Sequence, residues 1–188
     1  MYVTLLFWLL LLGVPLSADG GRAPGQQSAV PPDPLAGLSG TGRAIDTRHL
    51  TLTPTVTRDA APPGGRLTLV LDVVPKPGMH VYAPEQKDLI PVSLLLKADE
   101  RIRAGARRLP PSEAYFFAPL GETQRVYSRP FRIEQEVRIA DTPETRRRAA
   151  SGEDLTISAT LRYQACDNAV CYLPQEVPVS WTVRIKKD

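Results

Sequence analysis

The sequence predicts an all-β protein: an immunoglobulin-like antiparallel β-sandwich behind a disordered N-terminal segment. Three observations predict it. Apolar residues recur at every second position in several stretches, the period of a strand with one buried and one wet face. Clusters of Pro, Gly and Ser punctuate those stretches. And 19 prolines in 188 residues exclude a helical bundle, because proline breaks helix interiors. Six or seven strands with such punctuation fit a sandwich.

In chain order, residues 3–16 (VTLLFWLLLLGVPL) carry no charge and fall short of the roughly 20 residues of a bilayer span. Ser17-Ala18 and then Asp19-Gly20-Gly21 follow, so residues 1–18 read as a secretory signal peptide. No Lys or Arg precedes the run, and an uncleaved N-terminal anchor is the alternative. Residues 19–45 are rich in Pro, Gly, Ser and Ala without apolar period, the composition of a flexible linker. Residues 46–188 are expected to form the folded domain, exported to an oxidising compartment such as the periplasm, where a disulfide persists.

Within it, Leu50 and Leu52 open a first strand, and Leu67, Leu69, Leu71 and Val73 form a second. Ile90 to Leu96 fits a more buried strand. Phe131, Ile133, Val137 and Ile139 alternate, with Gln135 as a polar interruption. Thr142-Pro143-Glu144 resembles a helix start, so the one helix is expected near Thr142 to Ala150. Ile157, Ala159, Leu161 and Tyr163 then alternate, as do Val177, Val179, Trp181, Val183 and Ile185.

Composition removes several functions. Lys and Arg number 23 against 20 Asp and Glu, for a net charge of +3, too small an excess to indicate nucleic acid. The basic runs Arg101 to Arg108 and Arg146-Arg147-Arg148 have no interleaved stacking aromatics and read as solvated faces. Two cysteines rule out a four-cysteine zinc site. Phosphate loops, HExxH and GxSxG are absent. No cofactor is expected.

The chemistry concentrates on Cys166 and Cys171, separated by four residues within Tyr163-Gln-Ala-Cys-Asp-Asn-Ala-Val-Cys-Tyr-Leu-Pro174. Asp167-Asn168 is a good turn pair, so the cysteines face each other across a hairpin mouth, within reach of a bond. Chain entropy for so short a loop gives only about 2 kcal/mol of stabilisation. Spacing alone leaves three readings: a structural disulfide, a redox pair, or a soft-metal site such as a copper(I) carrier with Met79 or His80. His80 and Tyr82 alternate on one strand face after a Pro-Gly turn. They either share a pocket, where the histidine would tune a thiol, or are a surface histidine beside a core tyrosine, which the pattern alone favours. His49 reads as ordinary surface. Tyr115, Phe116 and Phe117 fall in a proline-bounded stretch read as a loop, either covering a reactive pair or entering the core.

The stretch YQACDNAVCYLPQEVPVSW, with GMHVYAP and PLGETQRVYSRPFRI before it, resembles the N-terminal periplasmic domain of the thiol:disulfide interchange protein DsbD, over residues 46–188. The resemblance implies an immunoglobulin-like domain that passes electrons by thiol–disulfide exchange. It makes Cys166 and Cys171 the redox pair, with Cys171 joining the partner and Cys166 resolving the mixed disulfide. His80, Tyr82, Tyr163 and Tyr172 would shape the pocket. Phe116, Phe117 and Glu122 would stand in for the family's cap loop. The implied partners are periplasmic thioredoxin-fold or other disulfide-bearing proteins and a membrane electron transporter. No membrane region or thioredoxin-like domain follows in this sequence, so either an outside electron source or loss of the relay role is expected. A binding module with a purely structural disulfide remains the alternative class.

Overall fold

The computed structural model describes residues 43–187; the expected signal peptide and residues 19–42 of the expected linker lie outside the described residues. Thirteen β elements and one helix follow in order: β1 (Ile45–Asp46), β2 (Leu50–Val56), β3 (Ala60–Ala61), β4 (Arg66–Pro75), β5 (His80–Tyr82), β6 (Ser93–Leu96), β7 (Ile102–Arg108), β8 (Glu113–Phe117), β9 (Glu122–Tyr127), β10 (Phe131–Ile139), α1 (Pro143–Ser151), β11 (Asp154–Tyr163), β12 (Ala165–Cys166) and β13 (Gln175–Ile185).

Period-two burial builds the two main layers. Leu67, Leu69, Leu71 and Val73 of β4 and Phe131, Ile133, Val137 and Ile139 of β10 point one way into the core. Leu155, Ile157, Ala159, Leu161 and Tyr163 of β11, with Val179, Trp181, Val183 and Ile185 of β13, meet them from the other side. One sheet runs β1-β2-β4-β10-β7, the other β3-β13-β11-β6. All pairings are antiparallel except the short β3–β13 contact. The fully buried Trp181 indole donates to the Val70 carbonyl at 3.0 Å, tying one sheet to the other. The immunoglobulin-like sandwich predicted above is therefore the observed fold.

Local chemistry explains where the elements stop. Pro54 lies inside β2, but beyond the stretch that β1 covers, so its missing N–H costs no ladder bond. Helix α1 starts on a Thr142–Thr145 capping box with Pro143 in the first turn, and ends at Gly152, whose φ of 68° is the left-handed conformation that glycine adopts freely. The expected strand over Ile90–Leu96 is shorter, Ser93–Leu96, because Pro91 cannot donate to a ladder. Gln135 does not interrupt β10. It is buried in phase with its neighbours, at a register shift against β7, and its amide bonds Gly105 O at 3.0 Å, Glu136 O at 2.9 Å and the Arg107 guanidinium at 2.9 Å. The expected loop over Tyr115–Phe117 is strand β8, paired with β9.

A third, smaller sheet, β12-β5-β9-β8, carries the cysteines. β5 follows β4 through a turn closed by Met79 N–H to Lys76 O at 2.9 Å, with Gly78 at φ 78°. β12 lies in the excursion between β11 and β13, whose ladder closes at Tyr163 opposite Gln175.

Because Trp181 joins the sheets and fills the core, Trp181→Ala should cost about 3–5 kcal/mol. Chemical denaturation followed by circular dichroism measures it, and a loss under 1 kcal/mol would contradict this account of the core.

Candidate active site

Cys166 reaches its place by strand pairing. β12 lies antiparallel on β5, with Ala165 opposite Val81 and Cys166 opposite His80. The chain then turns: Asp167 Oδ1 accepts the N–H groups of Ala169 and Val170, each at 2.8 Å, and Asp167 N–H bonds Val170 O at 3.0 Å. This self-bonded aspartate turn returns the chain to Cys171, which is disulfide-bonded to Cys166 with the Cα atoms 4.0 Å apart. Tyr172 N–H closes the loop onto Ala165 O at 2.8 Å.

The two sulfurs differ in access. Cys166 is fully buried and Cys171 is exposed. Between them stands Tyr82, fully buried, its hydroxyl 2.8 Å from Cys166 Sγ and 3.0 Å from Cys171 Sγ. Burial pushes the Tyr82 phenol above its ordinary range, so it remains a neutral hydrogen-bond donor. Sulfur in a disulfide is a weak acceptor; a thiolate is a strong one. The Tyr82 contact therefore strengthens when the bond opens.

His80 is buried rather than on the surface. Its ring packs 4.4 Å from Tyr115 and edge-on to Tyr82 at 6.3 Å and Phe117 at 6.4 Å, and its Nε2 has no hydrogen-bond partner among the described residues. Burial holds it below its ordinary pKa, against the opposing pull of Asp167 and Glu113. Hairpin β8–β9 forms the flank. Tyr115 donates its hydroxyl to Asn168 Oδ1 at 2.8 Å, linking the hairpin to the cysteine loop. Phe117 is buried, whereas Phe116 is 64% exposed and Glu122 is exposed.

Tyr163 and Tyr172 group with His49, Tyr172 directly following Cys171 in the cysteine loop. The Tyr163 hydroxyl lies 3.3 Å from Thr47 Oγ1, and its ring is edge-on to His49 at 6.1 Å. Tyr172 stacks on His49 at 4.6 Å, carries the Arg48 guanidinium 4.9 Å above its ring, and donates to Asp167 Oδ2 at 2.7 Å. That bond and the Val170 and Ala169 amides hold Asp167 ionised, with a pKa of about 2. His49 is only 3% exposed, not surface as expected: the aromatic ring of Tyr172, folded back from the cysteine loop, covers it. No motif in the sequence marks His49 as part of the site, and Tyr115 stands out there only as one of three successive aromatics. The alternation of Tyr115 with Phe117 was the available signal for the latter.

Apolar side chains flank the exposed sulfur: Val170 is 50% exposed and Leu173 81%. Among the described residues, no cluster of three or more His, Cys, Asp or Glu side chains is arranged to hold a metal ion.

An immunoglobulin-like sandwich that presents a disulfide at its end, one sulfur open and one shielded, has the form of a thiol–disulfide exchange domain. The chain belongs to the family of N-terminal domains of the thiol:disulfide interchange protein DsbD, whose model matches residues 49–180. Among solved structures it is similar to the N-terminal periplasmic domain of ScsB from Proteus mirabilis, at 14% identity and a TM-score of 0.52, over 74% of this chain and 49% of that one. This chain thus spans about half the length of that structure. It is also similar to the reduced DsbD N-terminal domain of Neisseria meningitidis, at 16% identity and a TM-score of 0.39, over 72% of this chain and 90% of that one. No curated protein matches it.

Tyr82→Phe removes the one hydroxyl in contact with both sulfurs. In the reduced protein it should raise the pKa of the reactive thiol and slow its alkylation at pH 7 by about 3- to 10-fold, the effect of losing one hydrogen bond of about 1 kcal/mol. Iodoacetamide rates against pH measure this, and an unchanged profile would remove Tyr82 from the site. The buried His49 and His80, both held low by desolvation, also set a pH dependence. The unfolded chain binds their protons near pH 6.5 and the folded chain only below it, so stability is full above pH 6.5 and declines as pH falls. Denaturation between pH 7 and 5.5 should show that slope, and His49→Phe should reduce it.

Proposed function

We propose that this chain is an exported thiol–disulfide exchange domain, passing electrons between a membrane or periplasmic donor and exported protein disulfides through Cys166 and Cys171. The carrying observation is the unequal access of two bonded sulfurs that share the Tyr82 hydroxyl. The periplasmic assignment draws on the ScsB domain, which is described as periplasmic, and on the apolar run of residues 3–16. On this reading residues 1–18 are the export signal, 19–45 the tether and 46–188 the working domain.

The exchange runs as two displacements. A donor thiolate attacks Cys171 Sγ in line with the S–S bond; Cys166 leaves as a thiolate, accepting the Tyr82 hydroxyl hydrogen bond as charge develops. The second donor thiol then displaces Cys171, and the donor leaves as a disulfide, having given up two electrons. In the forward transfer the Cys171 thiolate attacks a partner disulfide, and Cys166 resolves the mixed disulfide, restoring the internal bond. Cys171 makes the intermolecular bond because Cys166 is walled off. Val170 and Leu173 supply an apolar rim on which a thioredoxin-fold partner rests, and His80, Tyr115 and Phe117 close the opposite side.

Cys166→Ala should trap a mixed disulfide with exported partners through Cys171, visible on non-reducing gels and abolished by dithiothreitol. Cys171→Ala should trap none. Trapping only by Cys171→Ala would reverse the roles, and trapping by neither would overturn the relay. The potential of the wild-type couple should lie near −200 mV; a value below about −300 mV would mark a structural disulfide.

A further inference from the structure

Far from the sulfurs, the outer face of the five-stranded sheet holds a row of like charges. Arg66 of β4 stands directly opposite Arg138 of β10, and Arg138 directly opposite Arg103 of β7. With strands about 4.8 Å apart, three guanidinium-bearing residues span roughly 10 Å. Arg58 joins them at the end of β2, where Thr57 and Thr68 are bonded backbone to backbone at 3.0 Å. These four arginines, all exposed, line an open cavity of about 520 Å³, with Gly105 and Glu136 in its wall.

Like charges directly opposite on neighbouring strands destabilise a sheet, and the chain does little to offset these. Glu136 is engaged by Arg108 at 3.0 Å. Asp141, which feels the Arg138 charge, forms its ion pair with Arg146 at 2.7 Å. Among the described residues, Arg138 and Arg103 reach only backbone carbonyls, those of Gly64, Glu100 and Ile102. Arg58 and Arg66 have no partner among the described residues. Elsewhere on the same face Arg132 is matched with Asp72 at 2.7 Å, so the imbalance is local to this cavity.

We propose that this groove is an anion site for a ligand carrying two or more phosphate groups. Guanidinium forks match phosphate oxygens in pairs, and each phosphate brings up to two negative charges and three acceptor oxygens in a compact volume. A row of forks at strand spacing fits linked phosphates better than a single one. The site is distinct from the redox pair: Arg66 opens β4 and Pro75 closes it before β5, roughly 30 Å of strand. A ligand held there leaves Cys171 unobstructed. A soluble oligophosphate and the headgroups of an anionic lipid surface share this chemistry.

Calorimetric titration of the full chain with inorganic tripolyphosphate at low salt tests the site. Wild type should bind, and Arg58→Gln/Arg66→Gln should bind at least tenfold more weakly. Those two guanidiniums make no hydrogen bond or ion pair among the described residues, so the fold should be unaffected, which circular dichroism checks. Arg162→Gln/Arg184→Gln, on the other sheet, removes the same charge and should stay within twofold of wild type. Co-sedimentation with phosphatidylglycerol against phosphatidylcholine vesicles separates the sources. Preference for the anionic vesicles that only the Arg58/Arg66 variant loses assigns the phosphates to lipid; tripolyphosphate binding without that preference assigns them to a soluble ligand. Absence of both signals, equal weakening by the two double variants, or hexaglutamate binding as tightly as tripolyphosphate would overturn the proposal.

Discussion

The pairing of two residues of β12 against β5 is the constraint on which the redox end depends. It places Cys166 across from His80 and sets the cysteine loop over Tyr82. Without it, residues 164–174 would be a long connection between β11 and β13, free to carry the sulfurs anywhere. The pairing is short because β12 is only two residues long, the chain turning at Asp167 directly after Cys166. So small a ladder cannot hold itself, and its neighbours hold it. β9 pairs with the far side of β5, and Tyr115 bonds Asn168 across the top.

Within this frame two physical effects oppose each other at the sulfurs. Burial of Cys166 disfavours its thiolate, and the ionised Asp167 one residue away adds negative charge nearby. The Tyr82 hydroxyl favours a thiolate by hydrogen bonding. Neither histidine supplies a cation at neutral pH, since burial keeps both rings uncharged. The leaving sulfur is thus stabilised by a neutral dipole and not by an ion pair. A dipole is a gentler perturbation than a charge, and it acts on both sulfurs, so it assists exchange in either direction.

The main layers of the sandwich were legible because their residues alternate. β4, β10, β11 and β13 all show apolar side chains in strict phase, and the helix start at Thr142 carried its own signature. β7 escaped because it is an edge strand exposed from Arg103 onward, leaving no apolar period to read. β8 escaped because flanking prolines and a Gly-containing turn looked like a loop. Gln135 misled because a buried amide satisfied by Gly105, Glu136 and Arg107 has the same letter as a surface one. In the site, the cysteines and the His80/Tyr82 strand were legible as a motif. The burial of His80 and His49 was not, because it comes from rings, Tyr115 and Tyr172, that are distant in sequence.

Those distant rings decide what happens when the disulfide opens. A loop closed by a single S–S bond would lose its shape on reduction, and ordering it again would slow the next exchange. Here the loop is fixed by contacts that do not involve sulfur. Asp167 ties the turn to itself and accepts the Tyr172 hydroxyl; Tyr172 packs on His49 and carries the Arg48 guanidinium over its ring; its N–H bonds Ala165; Tyr115 holds Asn168 from the hairpin side. Tyr163 and Thr47 carry that support into the sandwich core. With the backbone on either side of both cysteines held this way, opening the disulfide should leave the two thiols close together beside Tyr82. In the exchange proposed above, Cys166 would then resolve a mixed disulfide at Cys171 without a search, because the scaffold keeps the two residues in register before and after the bond opens.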